Sequence, residues 1–322
     1  GKLNRRGLTK LVEQSNLEDF QNVVQSIKGW GIYWDNYSRA MFEDNAEGMT
    51  FQAEVGDAAD YYFMYGKTAD GVNAFMRELS GDVPMFPLWT FGYWQCRERY
   101  KSSQELLEVV DRYRGLQVPL DGIIQDWQYW GSNYLWNAMD FTGETFVDGK
   151  QMIDRVHEQN AHIMISVWAS FGPQTKQFRK LNEKGLLFDF ETWPQSGLSH
   201  IWPPRMDYPS GVKVYDAFSP VARQIYWDHL KALFDYGIDA WWMDSTDPDF
   251  FNPCNETYDQ KGAMGSWRSV RNLFPLASVK GIYGNQRKAS DQKRVFIMTR
   301  SAFAGQQHYG SGLWSGDVAS SW

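Results

Sequence analysis

Through the first 80 residues, apolar positions recur with a period of two in short runs. Gly29-Trp-Gly-Ile-Tyr-Trp34 and Asp60-Tyr-Tyr-Phe-Met-Tyr65 read as strands, the first ending at the turn signal Asp35-Asn36 and the second closed by Gly66. Val72, Phe75, Met76 and Leu79 then follow helical spacing, which predicts a helix over 68–79 with Thr68 as its cap. Pro84 and Pro87 mark a boundary, so the chain is expected to divide into a β-rich part, residues 1–80, and a second part, residues 81–322.

Beyond the boundary the rhythm changes to strands alternating with helices. Strands are expected at Leu88–Trp94, Gly122–Trp127, His162–Trp168, Ala240–Asp244, Arg294–Thr299 and Leu313–Ser315. Helices are expected at Ser103–Tyr113, Asp148–Gln159, Pro220–Tyr236 and roughly Ala263–Lys280. This order means βαβ units on a parallel sheet. In a (β/α)8 barrel the carboxyl ends of the strands gather at one mouth, which here would collect Asp126, Trp168, Asp244, Arg300 and Asp317. A doubly wound open sheet is the alternative, but no G-x-G-x-x-G follows any strand. The fold class expected is therefore α/β, an incomplete TIM-type barrel of about six strands.

Composition narrows the chemistry. Apolar residues make up 43% and charged residues 22% of 322, enough for a sizeable core. The net charge of −7 argues against nucleic acid or an anionic membrane as partner. No apolar run approaches the ~18 residues of a membrane span. Two cysteines exclude a disulfide scaffold and a Cys-rich zinc site. No metal or cofactor is expected, since H-E-x-x-H, C-x-x-C and the P-loop are all missing, as is G-x-S-x-G. Aromatic residues reach 16% while mean hydropathy stays at −0.53. Rings among Asp, Gln and Arg suit a sugar cleft, because sugars pair apolar C–H faces with a hydroxyl rim; ordinary core and interface rings are the plainer reading. Asn36-Tyr-Ser38 and Asn255-Glu-Thr257 are glycosylation sequons, too common to fix a compartment, although an extracytoplasmic one is the expectation.

The acidic residues carry the remaining signal. Asp244 lies in Trp241-Trp-Met-Asp-Ser-Thr-Asp-Pro-Asp249, where Asp247 or Asp249 can cap a following helix while Asp244 faces the mouth. Asp317, in Leu313-Trp-Ser-Gly-Asp317, would be pushed toward its neutral form by neighbouring rings, or would simply build an Asx turn. Together they suggest the two-carboxylate glycosidase arrangement. Arg300 could hold an ionised Asp244 by a bidentate bond or make a surface ion pair. Asp126 could accept two sugar hydroxyls or cap a helix, and Trp94, Trp130 and Trp168 could stack on sugar faces or be core. Of the histidines, His308 falls nearest to the presumed site, whereas His157 and His229 are expected on exposed helix faces.

At these positions the sequence resembles glycoside hydrolase family 31, the retaining α-glucosidases and α-xylosidases. Gly29–Ser38 is similar to the end of the family's N-terminal β-sandwich, Pro87–Gln95 to its first barrel strand and Gly122–Trp127 to its second. Trp242-Met-Asp244 resembles the nucleophile motif, Arg300-Ser-Ala-Phe-Ala-Gly305 the arginine-bearing strand and Trp314-Ser-Gly-Asp317 the acid/base motif. The resemblance implies Asp244 as nucleophile, Asp317 as acid/base, and Asp126, Trp127, Trp168, Trp242, Arg300 and Trp314 as substrate-binding residues, with an oligosaccharide as partner. Ser-Thr-Asp-Pro-Asp after Asp244, where typical α-glucosidases have Met-Asn-Glu, is more similar to the α-xylosidases acting on xyloglucan oligosaccharides. Xylose lacks a C6 hydroxymethyl, so a ring filling that corner (Trp127, Trp130 or Trp168) would exclude glucose. The chain opens at Gly1 and stops at Trp322 in a Gly- and aromatic-rich stretch. It is expected to be a segment of a longer protein whose last two barrel strands and C-terminal domains follow, and to be inactive or very weak in isolation.

Overall fold

The computed structural model describes residues 6–16, 20–141, 144–190, 192 and 211–319. Its first 65 residues contribute β1 (Thr9–Val12), β2 (Val23–Ser26), β3 (Trp30–Trp34), β4 (Ala40–Asn45), β5 (Gly48–Ala53) and β6 (Tyr61–Tyr65). These pair antiparallel in two three-stranded sheets, ordered β1-β4-β5 and β2-β3-β6. Helix α1 (Ala69–Ser80) starts at Thr68, whose hydroxyl accepts from the Gly71 N–H as expected of the cap.

The rest alternates as the pattern predicts. In order come β7 (Trp94–Gln95), α2 (Ser103–Gly115), β8 (Gly122–Gln125), α3 (Gly149–Glu158) and β9 (His162–Trp168). An excursion follows with β10 (Ser170–Phe171), α4 (Lys176–Glu183), β11 (Leu187–Phe188) and β12 (Lys213–Tyr215), whose strands make a small antiparallel sheet. Then come α5 (Pro220–Tyr236), β13 (Ala240–Asp244), α6 (Asn255–Tyr258), the hairpin β14 (Lys261–Gly262) and β15 (Gly265–Ser266), α7 (Trp267–Val270), α8 (Phe274–Ala289), β16 (Ile297–Thr299) and β17 (Ser311–Leu313). Six of these strands form one parallel sheet in the order β17-β16-β13-β9-β8-β7. The fold is an incomplete (β/α)8 barrel preceded by antiparallel sheets.

Three expectations on element placement are corrected. Leu88–Trp94 is not a strand: Leu88–Phe91 form a 3₁₀ turn, because the Pro87 carbonyl accepts from both the N–H and the hydroxyl of Thr90. Only Trp94–Gln95 pair with the sheet. The helix expected over Ala263–Lys280 is interrupted. Ala263 and Met264 turn the β14–β15 hairpin, which Gly265 closes at φ +137, Ser266 caps the one-turn α7, and Pro275 opens α8 in its first turn. The last strand pairs at Ser311–Leu313 rather than at 313–315.

The period of two sorts the sheet's side chains into layers. Ile123, Ile163, Ile165, Trp241, Met243 and Ile297 pack outward against the helices in the main core. Ile124, Met164, Ala240 and Phe296 face inward, joined by Trp89, Trp94 and Trp242, and fill the barrel interior. Gly122 belongs to the inward row, and a Cβ there would collide with the Trp94 ring. Continuing each inward row past its strand end puts Asp126, Trp168, Asp244 and Arg300 at one mouth.

Candidate active site

Arg300 organises the mouth. Its side chain is 3% exposed, and its nitrogens reach four carboxylates. Nε donates to Asp247 Oδ1 at 2.9 Å and Nη2 to Asp249 Oδ2 at 3.1 Å. Nη1 lies 3.4 Å from Asp244 Oδ1 and 3.7 Å from Asp317 Oδ2. Those two oxygens share one nitrogen as neighbour, so they are at most about 7 Å apart, which admits the ~5–5.5 Å carboxyl spacing of a retaining glycosidase. Arg300 is thus a buried hub, not a surface pair.

Burial works against the charge of three acids at this mouth, Asp244, Asp126 and Asp249. The carboxyl of Asp244 is pushed up to about 7, mainly by burial; Arg300 pulls it down, while the charge of Asp317 pushes it further up. Asp126 is raised by burial and then by the charge of Asp244. Asp249 is raised by burial too, although Arg300 opposes it. Burial also works against the charge of Arg300, but Asp247, Asp244 and Asp249 outweigh it and hold the guanidinium protonated.

The cap and turn readings resolve differently for each residue. No helix starts after Asp244; α6 begins only at Asn255, and Asp247 and Asp249 face Arg300 instead. Asp126 accepts from the Trp127 N–H at 2.8 Å, closing a turn rather than a helix. Asp317 departs from expectation. Its side chain is 77% exposed, so no apolar pocket of described residues encloses it. It is held by a residue far away in sequence: Asn16 Nδ2 donates to its Oδ2 at 2.7 Å, and its own N–H donates to Asn16 Oδ1 at 3.0 Å.

The aromatic predictions divide as well. Trp242 and Trp314 pair at 4.4 Å between ring centroids, linking the strand that ends at Asp244 to the segment after β17 that leads to Asp317. Trp168 is 5% exposed and packs on Trp136 at 4.7 Å. Its carbonyl accepts from Asn137 Nδ2 and the Tyr226 hydroxyl, and its indole N–H has no hydrogen-bond partner among the described residues. Trp127 lies under the Arg99 guanidinium at 4.1 Å. Trp130 is fully buried and cannot stack on a ligand. Trp94 pairs in register with Gly122, the first residue of β8, and so sits at the opposite, lower end. His308 is there too: it precedes β17, and its Nδ1 contacts the Asp82 carbonyl at 2.7 Å. His229 is half-buried and held down at about 4 by desolvation, not exposed, and His157 pairs with Asp239. His200 lies outside the described residues. Asn16, Asn137 and Arg99 also belong to the site, and no periodicity or motif in the sequence marks them. Among the described residues, no group of three or more His, Cys, Asp or Glu side chains could hold a metal ion.

A parallel barrel with a carboxylate pair at its C-terminal mouth is the architecture of many glycosidases, and the family model for the glycosyl hydrolases family 31 TIM-barrel domain matches residues 83–322. The chain belongs to that family. It is 36% identical over its whole length to an alpha-xylosidase of Saccharolobus solfataricus, of which it covers 41%. It is 26% identical over 93% of its length to alpha-glucosidase 2 of Bacillus thermoamyloliquefaciens, covering 38% of that protein. Among solved structures, it superposes with a TM-score of 0.84 on an alpha-xylosidase from a soil metagenome complexed with xylose. There the identity is 27%, with 99% of this chain and 45% of the other covered. The chain therefore spans less than half the length of these relatives.

Proposed function

We propose that the protein is a retaining α-glycosidase that removes α-xylose from the non-reducing end of xyloglucan-type oligosaccharides, with Asp244 as nucleophile and Asp317 as acid/base. The observation that carries this reading is the single Arg300 Nη1 placed between the two carboxylates. In the first step an Asp244 oxygen attacks the anomeric carbon while Asp317 gives its proton to the departing glycosidic oxygen. In the second, Asp317 takes a proton from water, which attacks from the face the leaving group vacated, displaces Asp244 from the opposite face and returns an α-sugar. Two inverting displacements leave the configuration unchanged. Protonation of Asp317 for the first step removes one of the charges that hold Asp244 neutral, so the proton needed on one partner favours ionisation of the other.

Asp126 and the Trp168 indole N–H would take sugar hydroxyls, and the Trp242–Trp314 pair would border the ring. The alpha-xylosidase relatives favour xylose; with Trp130 buried, Trp127 and Trp168 remain as rings that could fill the C6 corner. We also infer that the chain divides near residue 80, where the barrel match begins.

The deciding assay, run on the whole protein, compares p-nitrophenyl α-xyloside with p-nitrophenyl α-glucoside. Faster xyloside turnover supports the proposal, a glucoside preference makes the protein an α-glucosidase, and binding without turnover makes it a carbohydrate-binding homologue. Asp244→Ala should lower turnover by about 10⁴-fold or more, with partial rescue by azide. Retained activity would remove Asp244 from the mechanism.

A further inference from the structure

We infer that Asn16, in the segment just after β1, is a positioning residue for Asp317; this rests on the acid/base role proposed above. Two hydrogen bonds join the pair in both directions: side-chain amide to carboxylate at 2.7 Å, and Asp317 N–H to the Asn16 side-chain carbonyl at 3.0 Å. An amide matches this demand because it carries a donor and an acceptor on one rigid plane. The contact is close enough that a Cβ at Gly316, which has φ +79, would collide with the Asn16 carbonyl.

Asn16 is itself anchored. Two residues earlier, the Gln14 N–H donates to Asn272 Oδ1 at 3.1 Å, and Gln14 Nε2 contacts the Ala302 carbonyl, two residues beyond Arg300. Asn272 in turn donates to the carbonyls of Val12 and Ser38. The N-terminal sheets are thereby tied to the barrel strand bearing Arg300 and to the loop bearing Asp317.

The pairing distinguishes the two carboxylate oxygens. Oδ2 accepts from Asn16 and faces Arg300 Nη1, which leaves Oδ1 without a partner among the described residues. Oδ1 is then the oxygen that carries the mobile proton. An exposed aspartate on a glycine loop would otherwise rotate freely, and Asn16 supplies the orientation that burial does not.

The test compares wild type, Asn16→Ala and Asn16→Asp on a xylosyl disaccharide, whose leaving group needs a proton, and on an α-xylosyl fluoride, which does not. Asn16→Ala should lose about 10–100-fold in kcat/KM on the disaccharide and less than about 3-fold on the fluoride. Asn16→Asp, which puts a like charge against Oδ2, should move the basic limb of the disaccharide profile to higher pH. Equal losses on both substrates, or an unmoved basic limb in Asn16→Asp, would overturn the pairing while leaving the wild-type reaction intact. If the whole wild-type protein hydrolyses neither substrate, the acid/base reading falls along with the pairing.

Discussion

Strand β13 has an aspartate at each end, and the two have opposite fates. Asp239, just before its first residue, and Asp244, at its end, are both largely buried, with 9% and 18% of their side chains exposed. Burial raises both carboxyls. For Asp239 this is more than reversed by the hydrogen bond from His157, the His162 ring 3.4 Å away and the Ile163 N–H, so its carboxyl lies well below the ordinary range. His157 Nε2 donates to Oδ2 at 2.8 Å, the Ile163 N–H at 3.0 Å, and Lys293 stands 3.5 Å from Oδ1. The His162 ring is clamped under Trp89 at 4.2 Å. Among the described residues Asp244 receives only the Ser245 N–H at 2.7 Å and a distant share of Arg300, whose other nitrogens already serve Asp247 and Asp249. The two ends teach that, where both acids are largely buried, the partners that oppose desolvation decide whether the acid stabilises the fold. Asp239 at the lower end is well partnered, whereas Asp244 at the mouth is under-partnered, as a reactive group must be.

The largest expected consequence is at the mouth. Asp244 binds its proton more tightly in the folded state than in the unfolded chain, so its contribution to stability falls as pH rises from about 4 to about 7. The upper limit of that loss is roughly 4 kcal/mol. Asp244→Asn removes the titration. It should match wild type near pH 4 and be more stable above pH 7, by a few kcal/mol at most, while losing turnover. Urea unfolding of both proteins across this range measures the difference. Parallel stability curves would mean that Asp244 is not strained.

At the lower end the sign reverses. Asp239 has a lowered carboxyl, so it stabilises the fold at pH values above its unfolded value near 4 and loses that contribution as pH falls further. Asp239→Asn should cost about 2–3 kcal/mol at neutral pH and progressively less below pH 4. A variant equal to wild type at pH 7 would show that the His157–Asp239–His162 cluster contributes nothing, and the contrast between the ends would fail.

This contrast was only half legible in the sequence. The inward row of β13 (Ala240, Trp242, Asp244) and that of β16 (Phe296, Met298, Arg300) follow from alternation, which is local, and the motifs around Asp244 and Asp317 are contiguous. Helix α5 was readable to the residue because Pro220 and Gly237 punctuate it. By contrast, Asn16 meets Asp317 across 301 residues and His157 meets Asp239 across 82. No period or motif links such pairs, because only the closed fold brings them together. The expected desolvation of Asp317 by Trp314 failed for the same reason. A neighbouring ring in sequence does not bury a side chain when that ring packs on Trp242 instead. Pro87 misled in another way, since its carbonyl collects two bonds from Thr90 and turns an apolar run into a 3₁₀ turn.

The smallest effect expected is the most diagnostic of coupling within the mouth. The charge of Asp317 ranks behind burial and Arg300 among the influences on Asp244, and it acts in the raising direction. Asp317→Asn keeps the shape of the side chain and removes that charge. Asp244 should then ionise more readily, and the acidic limb of kcat/KM should move down by about half a pH unit, because an exposed charge is heavily screened. An α-glycosyl fluoride is the substrate to use, since its first step needs no proton donor and kcat/KM reports the free enzyme up to that step. The shift should shrink in high salt, as an exposed charge acting through solvent requires. An acidic limb that stays fixed, or moves up, would mean that the two carboxylates do not feel each other, and Arg300 would then be holding two independent acids rather than one coupled pair.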